Sequence, residues 1–134
     1  MEIKITTENG KVPVTIMHVD GNIDSLTAGM FLAKAEELIV GGARYILVDL
    51  SHVPFISSAG LRSLNDIFNH LRSLHTDVNL SDDAVKEGIV AGTYKSPHLK
   101  LLNLSKDVKH SFELSGFDLF IETYTDQKAA VASF

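Results

Sequence analysis

The chain has 134 residues, 12 Lys+Arg against 17 Asp+Glu for a formal net charge of −5, and neither cysteine nor tryptophan. With 45% hydrophobic and 22% charged residues it is neither a disordered nor a fibrous chain, and its length suits a single domain over residues 1–134. The lack of cysteine excludes disulfides, thiolate nucleophiles and cysteine-ligated zinc or iron–sulfur sites, and an acidic balance with no basic block argues against nucleic acid as a partner.

Ile3 and Ile5 alternate with polar residues, and Glu8-Asn9-Gly10-Lys11 carries the chemistry of a two-residue hairpin turn. The returning strand runs from Val12 to Asp20 and ends at Gly21-Asn22-Ile23-Asp24-Ser25. Leu26, Ala28, Met30, Phe31, Leu32, Ala35, Leu38 and Ile39 then recur at helical spacing, and Gly41-Gly42 can end that helix in left-handed backbone. Tyr45 to Leu50 is a continuous apolar run, as expected of a central strand covered on both faces or by a helix and a hairpin. Pro54 breaks it. Leu61, Leu64, Ile67, Phe68, Leu71 and Leu74 form one apolar stripe at steps of three and four, which predicts a second helix over residues 58–74.

Residues 76–98 are polar and irregular, with a short helix opened by Ser81-Asp82-Asp83 and closed near Gly92. Leu99 to Leu104 predicts a strand, Ser105 an N-cap, and Val108 with Phe112 the buried side of a helix stopped at Gly116. Leu119 and Ile121 predict a last strand, and Thr125 a cap for a final helix through Ala129, Ala130 and Val131. Strands alternating with helices define an α/β fold with parallel crossovers. The opening hairpin makes the sheet mixed, with about four helices packed mainly on one face.

Few residues offer chemistry. His18, His52, His70, His75, His98 and His110 form no i, i+4 pair and no HExxH pattern, so no metal site is expected. GxxxxGK[ST], GxGxxG and GxSxG are all absent, so neither a nucleotide cofactor nor a serine hydrolase is expected, and the chain reads as a non-enzyme. Asp49 lacks the acidic pair that a phosphoacceptor aspartate needs to hold Mg²⁺ and instead fits pairing with a backbone amide or fixing the following turn. No window approaches the ~20 apolar residues of a membrane span, and the start Met1-Glu2-Ile3-Lys4 lacks a leader's apolar core, so the expected location is the cytoplasm, away from the membrane. There remains Ser57-Ser58-Ala59-Gly60, between a buried strand and an amphipathic helix. One reading is a helix N-cap, worth ~1 kcal/mol. The other is a hydroxyl open to a kinase at a helix start where a partner packs closely, since a phosphoryl group would add ≈ −1.5 to −2 charge there.

The stretch Asp49-Leu50-Ser51-His52-Val53-Pro54-Phe55-Ile56-Ser57-Ser58-Ala59-Gly60-Leu61-Arg62 resembles the STAS domain, and within it the anti-sigma factor antagonists of bacteria. Gly21-Asn22-Ile23-Asp24 with Thr27-Ala28, and Phe112-Glu113-Leu114-Ser115-Gly116-Phe117, extend the resemblance over most of the chain in the family's order. Ser57 stands where the family usually has Asp, Ala59 where it has Ser or Thr, and residues 76–98 are longer than the family's usual connection, so the resemblance implies an insertion there. The resemblance implies a STAS-type fold and phosphorylation at Ser58, with Ser57 as second choice. It also implies a protein-binding surface of Asp24, Ser25, Ser57, Ser58, Ala59, Gly60, Arg62 and Ser63. The partners it implies are an anti-sigma factor that is also a GHKL-type serine kinase, bound when Ser58 is unphosphorylated so that a sigma factor is released, and a resetting PP2C-type phosphatase. No cofactor is implied. The alternative within the same family is a scaffolding or ligand-binding module of a lipid-transport or stress-sensing complex, with Ser58 only a cap.

Overall fold

A computed structural model describes residues 1–74, 82–92 and 94–134. In chain order the elements are β1 (Glu2–Asn9), β2 (Pro13–Asp20), α1 (Ala28–Val40), β3 (Ile46–His52), α2 (Ser58–Leu74), α3 (Asp82–Ala91), β4 (Leu99–Leu102), α4 (Lys106–Ser115), a 3₁₀ turn (Phe117–Leu119), β5 (Thr123–Tyr124) and α5 (Gln127–Ser133). The strands lie in sequence order, β1-β2-β3-β4-β5. β1 and β2 are antiparallel, and every later pairing is parallel because a helix crosses between the strands.

Alternation along the strands divides the core between the two faces. Met17, Val19, Ile46, Val48, Leu50, Leu99 and Leu101 meet Phe31, Ala35 and Ile39 of α1, Leu64, Ile67, Phe68 and Leu71 of α2, and Val108 and Phe112 of α4. Each large apolar side chain buried this way contributes about 1.5–3 kcal/mol. Val14, Ile16, Leu47 and Leu102 point to the opposite face, where Ala130 and Val131 of α5 cover them. Buried Lys100 lies under the same helix, its Nζ donating to the carbonyl oxygen and Oγ of Ser133, both at 2.9 Å. The mixed sheet and opening hairpin agree with the expectation, and among the described residues the helices number five, four of them assigned to or near the first face and α5 alone on the second.

Several local expectations need correction. Pairing of Asn9 with Pro13 leaves a three-residue connection of Gly10, Lys11 and Val12, and neither Asn9 nor Gly10 has positive φ. Gly10 is small for another reason: a Cβ there would lie 2.9 Å from the carbonyl oxygen of Val131, where α5 crosses the hairpin. The strand expected through Leu104 stops at Leu102, since Asn103 takes φ 56°. Leu119 belongs to the 3₁₀ turn that follows left-handed Gly116, which pushes β5 on to Thr123–Tyr124. Asp126 rather than Thr125 caps α5, accepting from the Ala129 amide. Within the expected insertion, α3 ends beside Gly92 (φ 74°) as predicted, while Ser81 and the rest of 75–81 lie outside the described residues.

Candidate docking and modification site

The parallel strands β2 and β3 end side by side, so the turns that leave them, residues 21–27 and 53–57, are neighbours. A short bridge locks the two turns together. Ile23 pairs with Ile56, its amide donates to the Phe55 carbonyl (3.0 Å), and the Ser57 amide donates to the Ile23 carbonyl (2.9 Å). Asp24 organises the first turn: its Oδ1 accepts from the amides of Leu26 (2.9 Å) and Thr27 (3.2 Å), and its carbonyl accepts from the Ala28 amide. The Thr27 hydroxyl donates to the Asn22 carbonyl at 2.7 Å, closing the loop.

At the start of α2 the two serines have different tasks. The Ser57 Oγ accepts from the Gly60 amide (3.3 Å) and its carbonyl accepts from the Leu61 amide (2.9 Å), so Ser57 is the N-cap. Ser58 is the first helical residue, exposed, and among the described residues no hydrogen bond engages its hydroxyl. The cap therefore makes no claim on Ser58. The described part of the 76–98 segment does not cover it, since Val85, Lys86 and Ile89 of α3 border a groove with Asn65, Phe68, Asn69 and Arg72, farther along α2.

Gly60 and Ser63, expected on the contact surface, are buried. A Cβ on Gly60 would lie 2.6 Å from the Ile23 carbonyl oxygen, so the glycine lets α2 rest against the first turn. Ser63 sits between the helices, with its Oγ 3.2 Å from the carbonyls of both Ala28 and Ala59. Both residues build the junction instead of facing a partner. Asp24, Ser25, Ser57, Ser58, Ala59 and Arg62 retain exposed or partly exposed surface.

Three apolar residues join them, two of which, Leu26 and Met30, the helical periodicity had placed on the apolar stripe of α1. Leu26 is 90% exposed, Met30 54% and Phe55 48%, although each lies in or beside these turns. A usable signal existed in part: the buried stripe of α1 is Ala28, Phe31, Ala35 and Ile39, and Leu26 and Met30 fall off it. These three side chains leave apolar surface in water around the two turns.

On the sheet face that α5 leaves open, Asp49 Oδ2 accepts from His18 Nδ1 at 2.8 Å, and His18 Nε2 is 2.8 Å from the Thr6 hydroxyl. The carboxylate holds the imidazole proton on Nδ1, so in neutral His18 the Nε2 accepts from Thr6. Burial pushes the Asp49 carboxyl up, but the Ser51 amide, His18 and the Ser51 hydroxyl together outweigh it and hold the group below its ordinary value. Asp49 thus pairs with a backbone amide inside β3, one of the two roles expected of it. Among the described residues no group of three or more His, Cys, Asp or Glu could hold a metal ion, and no helix is long and apolar enough to cross a membrane.

A five-stranded mixed sheet with its parallel strands joined by helices is a STAS-type fold. The family model of the STAS domain matches residues 4–82, more than half of the chain, and the chain belongs to that family. Among solved structures, the Thermotoga maritima protein TM1081 is similar at TM-score 0.71 and 17% identity, over 96% of this chain and 90% of that one. An anti-sigma factor antagonist from Mycobacterium paratuberculosis follows at TM-score 0.67 and 18% identity, over 98% and 93% of the two chains. The Bacillus cell fate determinant SpoIIAA in its phosphorylated form matches at TM-score 0.59 and 18% identity, over 96% of each chain. No curated protein matches by sequence.

Proposed function

We propose that this STAS domain is an anti-sigma factor antagonist, a cytoplasmic binding protein without catalytic activity of its own, whose docking is switched by phosphorylation of Ser58. The observation that carries this reading is an exposed hydroxyl, free of hydrogen bonds among the described residues, in the first turn of α2 beside the exposed Leu26, Met30 and Phe55. Similarity to solved structures of SpoIIAA in unphosphorylated and phosphorylated forms supports it. In this reading the partner is an anti-sigma factor that is also a GHKL-type serine kinase, and a PP2C-type phosphatase reverses the modification.

The physical asymmetry is simple. A phosphate on Ser58 adds ≈ −1.5 to −2 charge beside the first-turn amides, where the helix dipole favours an anion, so the fold stands. A docked partner must instead desolvate that charge, at a cost of several kcal/mol, and each 1.4 kcal/mol is tenfold in affinity. The test is calorimetric binding to the cognate anti-sigma factor with ATP-dependent labelling. Ser58→Ala is expected to bind as the parent does and to take up no phosphate, while Ser58→Glu is expected to bind about tenfold or more weakly. Equal affinity of all three forms sinks the switch and leaves the scaffolding reading.

A further inference from the structure

The docking surface carries one positive charge. Across residues 21–30 and 53–63 the sole Lys or Arg is Arg62. It is exposed, and among the described residues no hydrogen bond or ion pair engages its guanidinium. Arg62 follows Ser58 by four positions on the same helix. Side chains at i and i+4 share a helix face, and because each Cα–Cβ bond tilts toward the N-terminus, a long side chain covers the turn before its own. Arg62 is therefore set to lie back over Ser58.

An anion at i with a cation at i+4 is the favourable order for such a pair, whereas the other acid within reach along the helix, Asp66, follows Arg62 in the unfavourable order. Asp24, the acid in the adjoining turn, already accepts two amides on Oδ1. Residue 57 is a neutral serine, so the position preceding the hydroxyl brings no charge to compete for the guanidinium. The planar fork of arginine suits phosphate oxygens.

We propose that Arg62 is the built-in counter-ion of a phosphate on Ser58. Modification then has two effects at once: it adds negative charge, and it withdraws from the docking surface the one cation a partner's carboxylate could meet. This inference rests on Ser58 being the modified residue.

The experiment installs phosphoserine at position 58 of the full chain during synthesis, so that no kinase is needed, and follows the ³¹P chemical shift against pH. In the parent and in Arg62→Lys the second phosphate ionisation is expected about 0.3–0.6 pH units lower than in Arg62→Gln, a two- to four-fold change in its constant. Coincident midpoints in the parent and Arg62→Gln overturn the proposal, as does loss of the folded state on introducing the phosphate. Failure of the cognate kinase to label Ser58 is a separate result that bears on the functional reading alone.

Discussion

Gly60 and Gly29 both lie in helices, and the same substitution at each should have opposite signs. A Cβ on Gly60 would approach the Ile23 carbonyl oxygen and Ile56 Cγ1 to 2.6 Å and Ile23 Cγ2 to 2.9 Å. Two of those atoms belong to side chains with some freedom, but the carbonyl is held in the bridge that accepts the Ser57 amide at 2.9 Å. Gly60→Ala must therefore push the start of α2 away and stretch that bond. Overpacking of this kind costs about 1–3 kcal/mol or more, against a gain of about 0.5–1 kcal/mol from replacing a helical glycine. At Gly29 nothing lies within 4 Å of the added Cβ, so only the gain remains. Urea unfolding should show Gly60→Ala destabilised by about 1–2 kcal/mol and Gly29→Ala stabilised by about 0.5 kcal/mol. Gly60→Ala as stable as Gly29→Ala would refute the close approach of α2 to the first turn, and with it the junction that carries the proposed docking surface.

Ser57→Ala is expected to cost about 1 kcal/mol in the same assay through loss of the cap, whereas Ser58→Ala should stay within about 0.5 kcal/mol of the parent. A reversal of those values would show that Ser58 is the cap. For Asp49→Asn a loss of about 1 kcal/mol is expected near neutral pH, where a charged acceptor is replaced by a neutral one. Because the folded-state carboxyl is held below its ordinary value, this contribution is complete above the unfolded carboxyl value and fades as pH falls through the folded one. Denaturation curves of parent and variant should therefore draw together as pH falls below about 4; a gap that persisted undiminished through the carboxyl range would contradict the assigned network.

Much of the architecture was legible in the sequence because it rests on periodicity and local chemistry. The apolar stripe from Leu61 to Leu74 marked α2 over 58–74, and Ser105 and Gly116 marked the two ends of α4. Such signals act within one or two helical turns, so neighbours in sequence suffice to read them. The hairpin connection was misjudged because Asn-Gly invites a tight turn, yet here Gly10 answers to Val131, far away in the chain. The last strand was misplaced because buried Ile121 has the same hydropathy in an irregular segment as in a strand.

The candidate site divides in the same way. Residue types and spacing pointed to the head of the second helix, and the resemblance to the STAS family added the Gly21–Ser25 turn. Which of them face water was decided only when the chain folded. Ser63 and Gly60 are a polar and a small residue that look available in sequence, but α2 packs on α1 and on the Ile23 turn and takes them inside. Leu26, Met30 and Phe55 look like core and are left outside, because the helix and strand ends that carry them turn those side chains away from the sheet. Exposure depends on contacts between segments far apart in the chain, such as Ala28 with Ser63, 35 residues on. Local sequence carries no record of such contacts, so the identity of the serine was readable in the chain, and the surface around it only in three dimensions.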